Sequence, residues 1–328
     1  MDSSYIFAGT NAYVRLQKLL TETQRELLLG AHTYEEFLTS LNDTFLAAYI
    51  DTNKPENLSY ALDKALLEAK RTIERIAPDK KLFTFVWLQY DFYNLKMLLK
   101  RAENEHESDQ QETFIPLGTY SYEEMNKLVQ AGTFSSLHPY LAAAVRDVKK
   151  NPKLSVDAIM DKHYLEAAAK EAKEMKHAFV SEYVRILIDL FNLRSRLRAG
   201  ASKERSGKEN TPLYANGGSI PTHNLEKIDD VYLRLSRFGG DVLWRDAIAA
   251  YQADGDFTLV DKAAEDYMMR WLKRQSVDIH SPAPLFTYLA VMRENIQFVR
   301  AVATAKYVGL SETTLRKMIR DSYNSYVY

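Results

Sequence analysis

Asp91–Lys96 reads Asp-Phe-Tyr-Asn-Leu-Lys, and two later segments of the chain repeat its pattern. Asp189–Arg194 reads Asp-Leu-Phe-Asn-Leu-Arg, and Glu294–Val299 reads Glu-Asn-Ile-Gln-Phe-Val. The three segments lie roughly 100 residues apart and superimpose without a gap, so that each carries an acid followed three residues later by an amide. Residues three apart share one face of a helix. The repetition therefore predicts a chain made of three related helical units.

Each acid and amide pair lies in sequence that is otherwise almost entirely apolar. A helix that is apolar nearly all round belongs in a core, and a carboxylate in a core must be hydrogen-bonded or paired with a cation. The alternative is that the repeated carboxylates bind a metal in a helical metalloenzyme, which predicts stoichiometric metal after purification. We favour the first interpretation and predict six structural anchors: Asp91, Asn94, Asp189, Asn192, Glu294 and Gln297.

The composition favours an all-α fold. The 328 residues are 46% hydrophobic and 27% charged, and they include only 12 Gly and 9 Pro, which is typical of helices rather than of strands joined by turns. Two polar, non-periodic stretches, 103–112 and 199–219, resemble connections between units. We therefore predict helical repeat domains at residues 1–110, 111–205 and 206–328.

The sequence also argues against several functional classes. A net charge of −1 does not suit a nucleic-acid-binding protein that neutralises many phosphates. The absence of Cys excludes thiolate chemistry and disulfides, and the seven His show no His-x-x-x-His or His-Glu-x-x-His spacing. No phosphate-binding glycine loop is present. We predict no catalytic, cofactor-binding or metal-binding residues, and a chain without a membrane span or signal peptide.

The order and spacing of several motifs carry a family resemblance across essentially the whole chain. The motifs are Tyr5–Arg15 (Tyr-x-x-x-x-x-Asn-Ala-Tyr-Val-Arg), Tyr90–Lys96, Phe114–Gly118, Ile188–Arg194, Met292–Asn295 and Tyr307–Leu310. In this order they resemble the family of C subunits of V/A-type ATPases, whose eukaryotic members are called d subunits.

The resemblance implies a non-catalytic subunit of the central rotor of a V/A-type rotary ATPase. The three helical domains would surround a pseudo-threefold axis as a funnel. The funnel would sit on the membrane proteolipid ring and receive the shaft subunits D and F, so that rotation is coupled to proton or sodium transport. The expected location is the cytoplasmic side of the membrane, as a peripheral subunit, with no cofactor, nucleic acid or small-molecule substrate.

One short helix per unit is a candidate for one face of this funnel. These helices are predicted to begin near Thr33, Ser121 and Thr222, and their candidate interface residues are Tyr34, Tyr122 and His223. A different class of function is also open, namely a free-standing α-helical scaffold or adaptor that binds a cytosolic partner. That alternative predicts no affinity for a rotor ring.

Overall fold

The computed structural model describes residues 4–50, 57–103, 114–206 and 211–319. These residues form helices and turns without any strand, which confirms the all-α prediction. The α-helices, numbered α1 to α14 in chain order, are Tyr5–Leu16, Glu22–Gly30, Tyr34–Ser40, Leu58–Ile76, Thr84–Glu103, Tyr122–Gln130, Pro139–Lys150, Val156–Met175, Ala178–Ser206, Ile228–Leu235, Asp241–Asp254, Thr258–Gln275, Ala283–Tyr307 and Glu312–Met318. Over the described ranges, none of the helices has the length and apolar character needed to cross a bilayer.

Short polar motifs determine where several of these helices begin and end. Thr21 and Ser121 form capping boxes with Gln24 and Glu124 at the starts of α2 and α6, so two backbone donors are satisfied at each start. The Thr33 hydroxyl caps α3 in the predicted place. The end of α13 is marked by Gly309, whose φ of +71° suits a residue without a Cβ.

The chain folds into two compact units, and the first of them is built from two separate segments of the sequence. The first comprises Met1–Asp79 together with Thr258–Tyr328, and the second comprises Lys80–Phe257. The predicted division into domains 1–110, 111–205 and 206–328 stays a prediction. Its first boundary lies outside the described residues, and its second falls at the C-terminal end of α9.

The core of the first unit is built around α13. This helix of 25 residues is buried on most sides and packs against α1, α4 and α12. Since α1 begins the chain and α13 lies near its end, the first unit depends on contacts between residues that are far apart in sequence. A helix that is apolar on most sides requires neighbours on most sides, as the sequence predicts for this segment.

The second unit contains the other two helices of the repeat, α5 and α9. Helix α5 packs against α6 and α8, and α9 packs against α8 and α10. The α8–α9 hairpin turns at Lys176, whose φ of 54° is the left-handed conformation that ends a helix. In this unit each repeat helix therefore packs on at least one helix that follows it in the chain.

Candidate functional site

The first anchor joins α5 to the loop that precedes α6. The Asp91 carboxylate accepts hydrogen bonds from the backbone N–H groups of Thr119 at 2.7 Å and Tyr120 at 3.2 Å. The Asn94 carboxamide both donates to the carbonyl of Ile115 at 2.8 Å and accepts from its N–H at 2.9 Å. Both side chains are at most 1% exposed. Together they give backbone groups of this loop the hydrogen-bond partners that a helix or strand would otherwise provide.

The second anchor has the same form on α9. The Asn192 carboxamide pairs in both directions with the backbone of Ala215, at 2.9 and 2.8 Å. The Asp189 carboxylate accepts from the N–H of Ser219 at 3.1 Å and from that of Ile220 at 3.0 Å, and it also accepts from the Ser219 hydroxyl. Asp189 and Asn192 thus bind residues 215–220 as Asp91 and Asn94 bind residues 115–120.

A glycine lets each loop approach its aspartate closely. A Cβ added to Gly118 would overlap the carboxylate of Asp91, and one added to Gly218 would overlap that of Asp189. Neither glycine has a positive φ, so the requirement is for space rather than for backbone conformation. Gly118 and Gly218 each precede a short helix, and no local sequence pattern shows that they face a carboxylate.

The third anchor, on α13, is formed by Asn295. Its carboxamide oxygen accepts a hydrogen bond at 2.8 Å from the N–H of Leu20, which lies just before the Thr21 cap of α2. Leu20 therefore corresponds to Tyr120 and Ile220, and Asn295 corresponds to the two aspartates. This differs by one residue from the gapless superposition, which placed Glu294 in that position. Neighbouring helical residues point about 100° apart, so only one of the two can face the loop.

Glu294 lies beside this anchor in a buried ion pair. Its carboxylate is 2.6 Å from the guanidinium of Arg25, and it also accepts from the Asn295 amide at 2.7 Å. Burial raises the pKa of Glu294 by more than Arg25 lowers it. The Arg25 guanidinium lies 3.9 Å above the Phe298 ring, a geometry that favours cation–π attraction. Gln297 is exposed, and Phe298 occupies the position that corresponds to Asn94 and Asn192.

Two cation–carboxylate pairs each join a repeat helix to another long helix of the same unit. Arg300 donates to Asp63 at 2.5 Å and to Ser59 at 2.7 Å in the first unit. Lys96 donates to Asp161 at 3.0 Å in the second. Each cation stands five residues after its anchor residue, and each aspartate precedes a lysine near the start of a long helix. Sequence reasoning missed the pairing because the paired residues lie 65 and 237 residues apart in the chain.

The candidate interface residues differ in their surroundings. Tyr34 is half-buried and lies edge-on to Tyr307, with ring centroids 5.9 Å apart. Tyr122 is 39% exposed and lies edge-on to Phe114. His223 is exposed on a short 3-10 helix, Thr222–Leu225, which lacks a side-chain cap. In the second unit, the helices of Tyr122 and His223 begin at or next to the loops that the anchors bind.

The anchor side chains act by hydrogen bonding to the backbone of the loops. Their carboxylate and carboxamide groups bind loop N–H and carbonyl groups, among which those of Leu20, Ala215 and Ile220 belong to buried residues. In the ranges 4–50, 57–103, 114–206 and 211–319, no three or more His, Asp and Glu side chains are grouped so that they could hold a metal ion. The arrangement can hold loops rigidly against helices, and this is the property on which any function of the site depends.

Comparison with known proteins shows the family to which the chain belongs. A family described as the ATP synthase (C/AC39) subunit matches residues 10–318. The chain belongs to the ATP synthase (C/AC39) subunit family. It is 25% identical to the C subunit of the A-type ATP synthase of Methanobrevibacter smithii, over 96% of this chain and 88% of that protein. It is 20% identical to the C subunit of the V-type sodium ATPase of Enterococcus hirae, over 95% of this chain and 99% of that protein.

A third relative extends the likeness to another archaeon. The C subunit of the A-type ATP synthase of Thermococcus kodakarensis is 23% identical over 92% of this chain and 87% of that protein. Membership of the ATP synthase (C/AC39) subunit family confirms the resemblance inferred from the sequence motifs. It also places all three anchors within the matched residues.

Proposed function

We propose that this protein is a non-catalytic subunit in the central rotor of a V/A-type rotary ATPase. It links the shaft subunits D and F to the membrane proteolipid ring, on the cytoplasmic side, and transmits rotation coupled to proton or sodium transport. The observation that carries the proposal is the family match over residues 10–318, with relatives covered over 87–99% of their length. The proposed body has three helical domains around a pseudo-threefold axis.

The anchors suit a part that transmits torque. Torque passes through a body only if its elements do not shift against each other under load, and loops are the elements most ready to shift. Asp91 and Asp189 each hold a loop by charge-assisted hydrogen bonds, which are stronger than neutral ones. The role assigned to the anchors is therefore to keep each loop, and the helix it leads into, fixed to a repeat helix.

The partner surface is proposed to include the short helices near the anchored loops. Tyr34, Tyr122 and His223 are the residues whose combined replacement by Ala should weaken assembly without unfolding the chain. The matched control replaces Tyr60, Val242 and Leu233, which are 64–79% exposed and lie on other helices. Normal assembly of the first triple variant, scored by co-purification, would exclude these residues from the interface.

The proposed function is tested by extracting native membranes with mild detergent and purifying the tagged protein. Mass spectrometry should recover shaft subunits, proteolipid and the ATPase head in stoichiometric amounts. Recovery of soluble partners alone would refute the rotor role and favour a free-standing adaptor. ATP hydrolysis by the isolated chain above a buffer blank would contradict its non-catalytic assignment.

A further inference from the structure

A groove of about 400 Å³ runs between α8 and α9 in the second unit. Its floor is small and apolar, formed by Ala169 and Ala172 of α8 and by Val184 of α9. Ala172 and Val184 are at most 3% exposed, so the floor belongs to the packed core of the α8–α9 hairpin. Such a floor accepts apolar side chains and offers few hydrogen-bond partners.

The rim of the groove is cationic. Lys170 and Lys173 stand three residues apart on one face of α8, and Arg185 stands opposite them on α9. All three are exposed. The Lys170 ammonium lies 5.5 Å from the ring centre of Tyr140 on α7. The Arg185 guanidinium is 3.3 Å from Glu182, and this exposed pair is weak enough for another carboxylate to compete.

The second anchor builds part of the groove wall. Asp189 and Asn192 hold the loop that carries Asn216 and Gly217. These two loop residues lie against Glu166 and Ala169 in the interior of α8. Asn216 donates to the Glu166 carboxylate at 2.7 Å through its side chain and at 3.2 Å through its backbone. The carboxylate in the groove thereby accepts hydrogen bonds from two neutral donors. The cationic rim is left to act on whatever enters.

We infer that this groove binds an acidic, amphipathic segment of a partner protein. Apolar side chains of that segment lie on the alanine and valine floor, and its carboxylates meet Lys170, Lys173 and Arg185. A small anion alone suits the groove poorly, because the cations stand at the exposed rim and the floor carries no donors. The inference goes beyond the rotor role, which requires no particular chemistry at this surface. Complementary charge steers such a segment to the groove and sets its register.

The test uses the full chain, with the photo-crosslinker p-benzoylphenylalanine at position 181, which lines the groove from α9. The tagged protein is irradiated in detergent-extracted native membranes, and the crosslinked peptide is identified by mass spectrometry. The expected adduct is a partner segment rich in Asp and Glu with apolar residues at helical spacing. Its yield should fall several-fold as NaCl is raised from about 50 to 500 mM, because exposed charges are screened.

Charge reversal provides the matched comparison. The variant Lys170→Glu, Lys173→Glu and Arg185→Glu should lower the yield at least tenfold, while circular dichroism stays unchanged. The control Arg146→Glu, Lys150→Glu and Lys153→Glu makes the same change of charge at exposed positions of the second unit outside the groove, and it should alter the yield less than twofold.

Four results would overturn the inference. They are no adduct, an adduct to a segment without excess acid, an adduct to phospholipid or to a second copy of this chain, and equal yields from the two charge-reversed variants. Shaft and proteolipid subunits are counted in the same purified sample. Their absence would refute the rotor proposal, whereas the crosslink to an acidic segment would still be read independently.

Discussion

Replacing Asp189 by Ala tests whether the anchors hold their loops. The substitution removes an acceptor for the N–H groups of Ser219 and Ile220 and for the Ser219 hydroxyl. Ser219 is exposed, so water can replace the carboxylate there, but Ile220 is buried and its N–H would be left without a partner. The variant should therefore lose more stability than a surface variant does, and the loss of stability should be concentrated in residues 215–220.

The expected loss is about 2–4 kcal/mol. Leaving the buried N–H of Ile220 without a partner costs about 1–3 kcal/mol. At Ser219 water replaces the carboxylate as acceptor, which adds about 1 kcal/mol because a charge-assisted hydrogen bond is lost. Asp189→Asn keeps the volume and one acceptor oxygen, so it should lose about half as much. Since 1.4 kcal/mol is a factor of ten, Asp189→Ala should lower the hydrogen-exchange protection of residues 215–220 by about 30- to 700-fold.

Hydrogen exchange with mass spectrometry measures this directly, and urea unfolding followed by circular dichroism gives the global free energy of unfolding. The control is Asp246→Ala, an exposed position on α11 of the same unit, where a change within about 0.5 kcal/mol is expected. Protection of residues 215–220 that stays within threefold of the wild type in Asp189→Ala would refute the reasoning. So would an equal loss in the Asp246 variant.

The remaining predictions concern Gly118, Glu294 and Arg316. Gly118→Ala should destabilise the protein by about 1–3 kcal/mol in urea unfolding because its Cβ overlaps the Asp91 carboxylate, whereas Gly30→Ala, which meets no atom within 4 Å, should be neutral or stabilising. The pKa of Glu294 is raised in the folded protein, so its contribution to stability is greatest below pH 4.5 and is lost as the pH rises through the folded pKa. Glu294→Gln should therefore gain stability relative to the wild type as the pH rises above 4.5 in unfolding titrations, and the opposite trend would contradict the assigned direction. Arg316→Met removes a two-pronged ion pair with Glu26 whose partners are both exposed, so it should cost less than about 1 kcal/mol and raise hydrogen exchange only in α14; a larger global loss would contradict this.

The sequence alone determined the local features of this protein. The capping motifs at Thr33 and Ser121 and the low number of glycines and prolines are local signals, and the helices begin where those signals lie. The burial of Asp91 and Asp189 also followed from sequence, because a polar pair in an apolar helix has no other way to be satisfied. The order of the motifs was sufficient to identify the family.

Only the tertiary structure decided what each anchor binds. Every anchor contact joins α5, α9 or α13 to a loop at least 21 residues away, and for Asn295 and Leu20 the separation is 275 residues. Helical periodicity carries no information at such distances. It also could not choose between Glu294 and Asn295, since either polar side chain satisfies the pattern and only the position of the α1–α2 loop selects one. Glu294 points about 100° away from Asn295 around the helix and binds Arg25, while the Asn295 amide binds the backbone of Leu20.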